Sequence, residues 1–185
     1  MEHEKLLIKK INCMATQLKK ISLLIVTLLG FSTFASAQAQ RKANKDTKNW
    51  RYELECVSEG VEGTYVLKVF SYSKKATVAT EQAKKNAVHG VIFQGIATGG
   101  CQAKPALTNN PNLENEKEQF FKEFFADGGK YMKFVQFTND GAIDPADRTS
   151  IGKEYKIGVV VSVKVAALRK DLEDAGIIKG LSSGF

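Results

Sequence analysis

The residues that could carry chemistry are few and lie far apart in the sequence. His89 is the only histidine after residue 3, so a histidine-based zinc site or a Ser-His-Asp triad would have to be built around it. Cys56 or Cys101 beside His89 would form a thiol–imidazole pair. However, the sequence has no G-x-S-x-G, H-E-x-x-H, C-x-x-C or phosphate-binding loop. We therefore predict that the chain is not an enzyme and has no catalytic residue or cofactor.

Three aspartates, Asp140, Asp144 and Asp147, crowd one loop. Three carboxylates can hold a calcium ion if the backbone folds them inward, but the EF-hand spacing is absent. A solvated turn is therefore our first interpretation, and we assign no metal ligand. A pocket near this loop is the basis of an alternative function, a periplasmic protein that binds a small molecule or a metal ion.

The N-terminal residues predict export. Lys19 and Lys20 precede the apolar run 21–34, and Ala35-Ser36-Ala37 supplies the small-x-small pattern that signal peptidase accepts. An uncleaved anchor is the alternative, but Ser, Thr and Gln reduce the run below the ~18–20 apolar residues that a spanning helix needs. We therefore predict a periplasmic or secreted protein with no transmembrane span in the mature chain.

Composition divides the chain further. Cleavage is expected after Ala37 or Ala39, and Met14 opens a better-proportioned signal than Met1, so we interpret Met14 as the true start. Residues 40–49 are polar, charged and without periodicity, as in a flexible segment. We predict four segments: a signal peptide over 1–39, a flexible linker over 40–49, a single α+β domain over 50–180 and a tail over 181–185.

The charge balance gives little support for a nucleic-acid partner. The chain has 27 Lys+Arg and 20 Asp+Glu, a net charge of +7. Five of the lysines and two of the glutamates precede Gln38, so 22 basic and 18 acidic residues remain after cleavage, a net of +4. No basic cluster with interleaved aromatic residues follows. We predict no nucleic-acid binding.

Two cysteines, Cys56 and Cys101, lie in the predicted domain. An oxidising compartment favours a disulfide between them, which would contribute about 4 kcal/mol in the chain-entropy model. The alternative is two free thiols, because Cys56 shares a strand face with Trp50, Tyr52 and Leu54 and would suit a core position. Both interpretations stay open at this point.

Four stretches have the period of two that is typical of strands. They are residues 50–56, 64–73, 130–138 and 157–165. The first two are separated by a Gly-containing turn and predict a hairpin. Residues 64–73 are apolar on both faces, which predicts cover on both sides for part of that strand.

The main helix is predicted from about Thr77, which is a plausible N-cap. Its apolar positions recur every four residues: Ala79, Ala83, Ala87 and Val91. The charged set Glu81, Lys84 and Lys85 is predicted to face water. The small alanines should allow this helix to approach the sheet closely.

A second helix is predicted from a cap at Asn112 to a stop at residues 127–129. It carries four phenylalanines: Phe120, Phe121, Phe124 and Phe125. This spacing favours a core face, and the alternative is a partner surface if some of the rings are exposed. Leu168 and Leu172 predict a short C-terminal helix.

The longest predicted loop, residues 96–112, contains Gly99-Gly100 and two prolines. Loops longer than about 12–15 residues in compact domains are often functional or mobile. A partner-binding surface is one interpretation. A surface insertion held by Cys101 is the other.

One pattern resembles a known group of domains. Residues 152–157 read G-x-x-Y into a valine-alternating strand, followed by the Leu168 and Leu172 helix and preceded by the alanine-stripe helix 79–91. This arrangement resembles the small α+β domains of bacterial envelope proteins, the flagellar-assembly FlgT-like and surface-lipoprotein LPP-like families. The chain departs from them by its phenylalanine-rich helix and by lacking a lipobox cysteine. The resemblance implies a non-enzymatic role in envelope or appendage assembly and transfers no functional residue.

These observations predict an α+β fold: a mainly antiparallel sheet of about four strands, two longer helices packed on one face and a short C-terminal helix. The predicted function is an exported, non-enzymatic interaction or assembly module of the bacterial cell envelope. Its expected partner is another envelope protein.

Overall fold

A computed structural model describes residues 50–61 and 63–180 of the chain. The predicted signal peptide, Met14 start, linker 40–49 and tail 181–185 lie outside the described residues. The elements in chain order are β1 (Tyr52–Glu59), β2 (Thr64–Ser73), α1 (Ala76–Phe93), α2 (Leu113–Glu116), α3 (Glu118–Phe124), β3 (Val135–Phe137), β4 (Arg148–Ile151), β5 (Glu154–Lys164) and α4 (Val165–Asp174). Two 3-10 helices, Lys130–Phe134 and Pro145–Asp147, precede β3 and β4.

The strands form one antiparallel sheet around β5. The order is β1-β2-β5-β3, and β4 pairs with a different stretch of β5 on the same side as β3. Leu67 lies between Cys56 of β1 and Val161 of β5. The predicted α+β class and mainly antiparallel sheet are confirmed, with five strands where the sequence predicts about four.

Alternate side chains of the three long strands build the core from one face of the sheet. On β5 the fully buried set is Ile157, Val159, Val161 and Val163. The alanine stripe of α1 covers this inner face, and Ala79, Ala83 and Ala87 are completely buried. Because alanine adds little bulk, the helix can lie close to the valines below it. The predicted stripe is therefore the face that joins helix to sheet.

The third predicted strand, 130–138, is mostly wrong. Residues Lys130–Phe134 form a 3-10 helix, and only Val135–Phe137 pair with β5. Tyr131 and Phe134 are both buried and lie three residues apart, which matches the three-residue turn of a 3-10 helix and not the period of a strand. The aromatic residues on both faces of a predicted strand are instead one buried face of a helix.

The second predicted long helix is also wrong as a single element. It divides at Lys117 into α2 and α3, of four and seven residues. Residues 115–119 are all exposed, and helices in proteins depend mainly on packing for their stability. Asn112 occupies the N-cap position without a side-chain capping bond. The long helix α1 likewise begins after Lys75 and not at Thr77, with no side-chain cap.

The described helices are short or charged. In the part of the chain that the structure describes, none combines the length and hydropathy needed to cross a bilayer. The longest, α1, has 18 residues and includes charged side chains along its length.

Candidate functional site

Among the described residues, no α-helix packs on the outer face of the sheet. The buried side chains of the helices share one core cluster with the inner face of β1, β2 and β5. On the other side, β1, β2 and β5 present an apolar set that is only half-buried or, at Val57, exposed by 46%. We call this set the open face: Val57, Val66, Phe70, Tyr72 and Val160.

Lys156 of β5 contacts both the aromatic residues of the open face and the charged residue beside them. Its Nζ lies 4.6 Å from the ring centroid of Phe70 and donates to Glu53 Oε2 at 2.6 Å. The hydroxyl of Tyr72 also donates to Glu53. The bonds from Lys156 and then Tyr72 lower the pKa of Glu53, and the bond to Glu53 raises the pKa of Lys156. Both groups therefore stay charged at neutral pH.

Arg51 extends this arrangement at the edge of the sheet. Its guanidinium lies 4.4 Å from the ring centroid of Tyr72 and forms an ion pair with Glu154. A cation over an aromatic ring contributes about 0.5–1 kcal/mol at an exposed site. The open face is thus an aromatic and aliphatic surface whose charges are already matched.

One short element limits the open face on the β5 side. The 3-10 helix Pro145–Asp147 approaches the sheet where Lys68 forms an ion pair with Asp147 at 2.8 Å. A Cβ on Gly158 would lie 2.7 Å from Phe70 Cε1 and 2.9 Å from Asp147 Cβ, so glycine allows this approach. Within residues 50–61 and 63–180, the cover that the sequence predicts for both sides of β2 is limited on the outer side to this contact.

The four phenylalanines that were the candidate partner surface do not form one. Phe121, Phe124 and Phe125 are buried in the core, and only Phe120 is half-exposed. Their rings contact one another and also Phe93, Phe134 and Tyr131. The core interpretation is the one that this geometry supports.

Cys56 and Cys101 are joined by a disulfide, with their Cα atoms 5.6 Å apart. The bond fixes the start of the long loop 96–112 beside β1. The loop is also paired internally, through a bridge between Ile96 and Lys104. The sequence left disulfide and free thiols open, and the structure has the bonded pair.

The aspartate loop does not gather its carboxylates. Asp147 pairs with Lys68, and Asp144 caps the 3-10 helix by accepting from the Ala146 N–H at 2.9 Å. Asp140 has a left-handed backbone, with φ of 54°. Among the described residues, no group of three or more His, Cys, Asp or Glu side chains is placed to hold a metal ion.

His89 is the centre of a buried polar cluster that the sequence does not reveal. Its Nδ1 lies 2.6 Å from the hydroxyl of Tyr52, and its Nε2 lies 3.3 Å from Glu114 Oε2. Trp50 stacks on the imidazole at 3.6 Å between ring centroids and donates from its indole nitrogen to Glu114 Oε1 at 2.9 Å. The cluster joins β1, α1 and α2.

A neutral His89 can form both ring-nitrogen hydrogen bonds, one with Tyr52 and one with Glu114. Tyr52 donates its hydroxyl proton to Nδ1, and Nε2–H donates to the carboxylate of Glu114. Burial raises the pKa of Tyr52 well above its usual range, so the hydroxyl keeps its proton. The proton of Tyr52 is therefore available for the bond to His89 Nδ1.

Acidification should weaken this cluster. Burial lowers the pKa of His89 below 6.5, although the Glu114 carboxylate acts in the opposite direction. The unfolded chain therefore takes up the proton first, so stability is complete above pH ~6.5 and falls as the pH drops towards the folded pKa. Denaturant unfolding at pH 8 and pH 5.5 measures this loss, and the emission of Trp50, the only tryptophan, follows the cluster itself.

His89→Gln is the matched control for that prediction, because glutamine does not titrate. In this variant the loss of unfolding free energy between pH 8 and pH 5.5 should be smaller than in the wild type. Burial raises the pKa of Glu114, but its bonds from His89 and Trp50 outweigh this and lower it, so Glu114 should respond only at more acidic pH. Equal losses in the two proteins would show that His89 does not cause the pH dependence.

The described residues define a class of protein, an α+β domain with one sheet face under helices and the other face without an α-helix on it. No family model, no curated protein and no solved structure matches the chain.

Proposed function

We propose that the chain is an exported, non-enzymatic interaction module of the bacterial cell envelope, and that its open face binds another envelope protein. The observation that carries the proposal is the one-sided packing of the sheet. Phe70 and Tyr72 lie on β2 between two other strands, yet both remain partly exposed because no α-helix in the described part of the chain covers them. Partly exposed aromatic residues among matched charges are typical of the anchors of protein interfaces.

The composition of the neighbouring segment argues for a partner from outside the chain. Residues 40–49 read QRKANKDTKN and contain no large apolar side chain. Such a segment has little with which to bury Val66, Phe70 or Val160. The resemblance to envelope-assembly domains implies the same kind of role, and the predicted signal peptide would deliver the domain to the compartment where such a partner is found.

A photoreactive amino acid at position 57 tests this proposal. In the bacterium that encodes the chain, we expect illumination to crosslink position 57 to one specific protein. Val57 lies on the open face, and its side chain is exposed by 46%. Val66→Lys introduced into the same chain should abolish this product, since a lysine in the apolar patch would have to be desolvated on binding.

Position 132 provides the control for that experiment. Met132 is also exposed, by 39%, but it belongs to the 3-10 helix that packs against α1 and so lies away from the open face. The photoreactive group at position 132 should not give the product seen at position 57. The same products at both positions, or a product at position 57 that survives Val66→Lys, would contradict a binding role for the open face.

A further inference from the structure

The edge of β1 is occupied by the chain's own loop. β1 is the last strand on its side of the sheet, and the free edge of such a strand can pair with another chain. Here the Cys56 N–H donates to Thr98 O at 2.8 Å, and Gly100 N–H donates to Cys56 O at 2.6 Å. The Thr98 hydroxyl donates to Leu54 O at 2.9 Å. Residues 98–100 therefore lie where an added strand would pair.

This loop contacts β1 through a close backbone approach. Gly99 forms a parallel bridge with Cys56, and a Cβ on Gly99 would lie 2.2 Å from Cys56 O and 2.4 Å from Cys56 N. The φ of Gly99 is +113°, which strains any other residue. The disulfide from Cys56 to Cys101 then holds the loop beside the strand. Residues 98–101, which we call the lid, are exposed except at Cys101.

The charges along β1 indicate what could replace the lid. Glu53 and Glu55 lie on the outer face of the sheet, beside Phe70 and Lys68 of β2. Lys156 already pairs with Glu53, whereas Glu55 forms no ion pair among the described residues. Glu59, at the end of β1, lies on the other face beside Tyr65 and pairs with Lys104 of the loop, whose Nζ lies 2.7 Å from its Oε1. A second copy of β1 would bind this edge poorly. Antiparallel pairing would place its Glu53 and Glu55 opposite the same two carboxylates, and like charges opposite each other destabilise a sheet.

We propose that the edge of β1 is a docking site for an extended, lysine- or arginine-bearing strand of a partner, which the lid keeps closed. The partner strand would pair with the backbone of Leu54 and Cys56 and set a cation beside Glu55. This site adjoins the open face at Glu53, but pairing along the β1 edge does not depend on the function proposed for that face. A dithiol reductant would release the lid by reducing the disulfide to two protonated thiols, at Cys56 and Cys101. The reductant is itself oxidised to a disulfide.

The test uses a variant that loosens the lid and keeps the disulfide. Gly99→Ala should push residues 98–100 from β1, while Gly128→Ala introduces a side chain at a similar positive φ with nothing within 4 Å. The probes are two fluorescent peptides, Thr-Lys-Thr-Lys-Thr-Lys-Thr and the same peptide with Glu in place of Lys. Fluorescence anisotropy measures the affinity of each peptide for wild type and both variants in the oxidised state.

We expect Gly99→Ala to bind the lysine peptide about tenfold or more tightly than wild type or Gly128→Ala, because an open lid raises the fraction of binding-competent protein. The glutamate peptide should not bind. Hydrogen exchange at the Cys56 amide, which donates to Thr98 O, should be faster in Gly99→Ala and slow again when the lysine peptide is added. Equal affinities for the three proteins, or binding without renewed protection of the Cys56 amide, would overturn the proposal.

A gentler variant keeps the proposal testable if Gly99→Ala does not fold. Thr98→Val removes only the hydroxyl that donates to Leu54 O and leaves the backbone bonds of the lid in place. It should increase the affinity for the lysine peptide by about threefold, in line with the loss of one hydrogen bond. An affinity no higher than that of wild type in a folded Thr98→Val protein would overturn the proposal.

Discussion

Loss of the Cys56–Cys101 disulfide should lower the free energy of unfolding by about 4 kcal/mol. The bond joins residues 45 positions apart. In the chain-entropy model, closing a loop of that length lowers the conformational entropy of the unfolded chain by an amount that corresponds to this free energy. Cys56→Ala/Cys101→Ala should therefore unfold at a clearly lower urea concentration than the oxidised wild type. Urea unfolding followed by circular dichroism measures the difference, provided that the transition is two-state.

Two comparisons separate the disulfide from the packing of its sulfurs. Cys56 is 98% buried, so its truncation alone has a cost, and Cys56→Ala measured beside reduced wild type gives that cost. Oxidised and reduced wild type then differ only in the bond. If reduction changes the free energy of unfolding by less than ~1 kcal/mol, the loop must be held by its backbone bonds to β1 and the chain-entropy account is wrong for this protein.

The sequence could not decide this disulfide because the pairing depends on a register that local pattern does not contain. β1 has an irregularity between Cys56 and Ser58, and Gly99 meets Cys56 in a parallel bridge from a loop more than forty residues later. Gly99-Gly100 directly before Cys101 was the available signal, since adjacent glycines allow close backbone approach. The signal shows that an approach is possible and does not identify its partner.

The parts of the fold that could be predicted are those whose side chains repeat with one period over many residues. β2, β5 and α1 have ten, eleven and eighteen residues, and each was predicted within a few residues of its bounds. The errors occur where elements are short. Residues 130–134 place aromatic residues where both a strand and a 3-10 helix would bury them, and only the contacts with the rest of the fold decide between these two.

The candidate sites could be predicted only in part, for a related reason. Apolar positions on both faces of β2 are visible in the sequence, but which face the helices cover depends on how the chain crosses over the sheet. The four phenylalanines were open to two interpretations because burial is a property of the neighbours as well as of the residue. The contacts of His89 with Tyr52 and Glu114 join residues 37 and 25 positions away, and no local pattern encodes them.

Lys85→Met should raise the free energy of unfolding at pH 7 by about 3 kcal/mol. The sequence predicts that Lys85 faces water, but in the structure the residue is 96% buried, with its Nζ 5.7 Å from the ring centroid of Tyr131. Burial lowers the pKa of Lys85 from 10.5 to about 8, against a smaller opposing effect of Asp127. The gap between these values corresponds to about 3 kcal/mol of cost for keeping the buried ammonium charged. Methionine has a similar length and no charge.

The dependence on pH distinguishes this explanation from better packing of methionine. Between pH 8 and pH 10.5 the unfolded chain still holds the lysine proton that the folded protein has lost, so wild-type stability rises with pH across this window. The advantage of Lys85→Met should therefore be largest below pH 8 and shrink towards pH 10.5, as measured by urea unfolding at each pH. Lys84→Met is the matched control, because Lys84 pairs with Glu81 at 3.0 Å and lies 4.6 Å from the Phe137 ring centroid. Lys84→Met should not raise the free energy of unfolding. If the stabilisation by Lys85→Met stays constant with pH, it comes from packing of the methionine and not from removal of a buried charge.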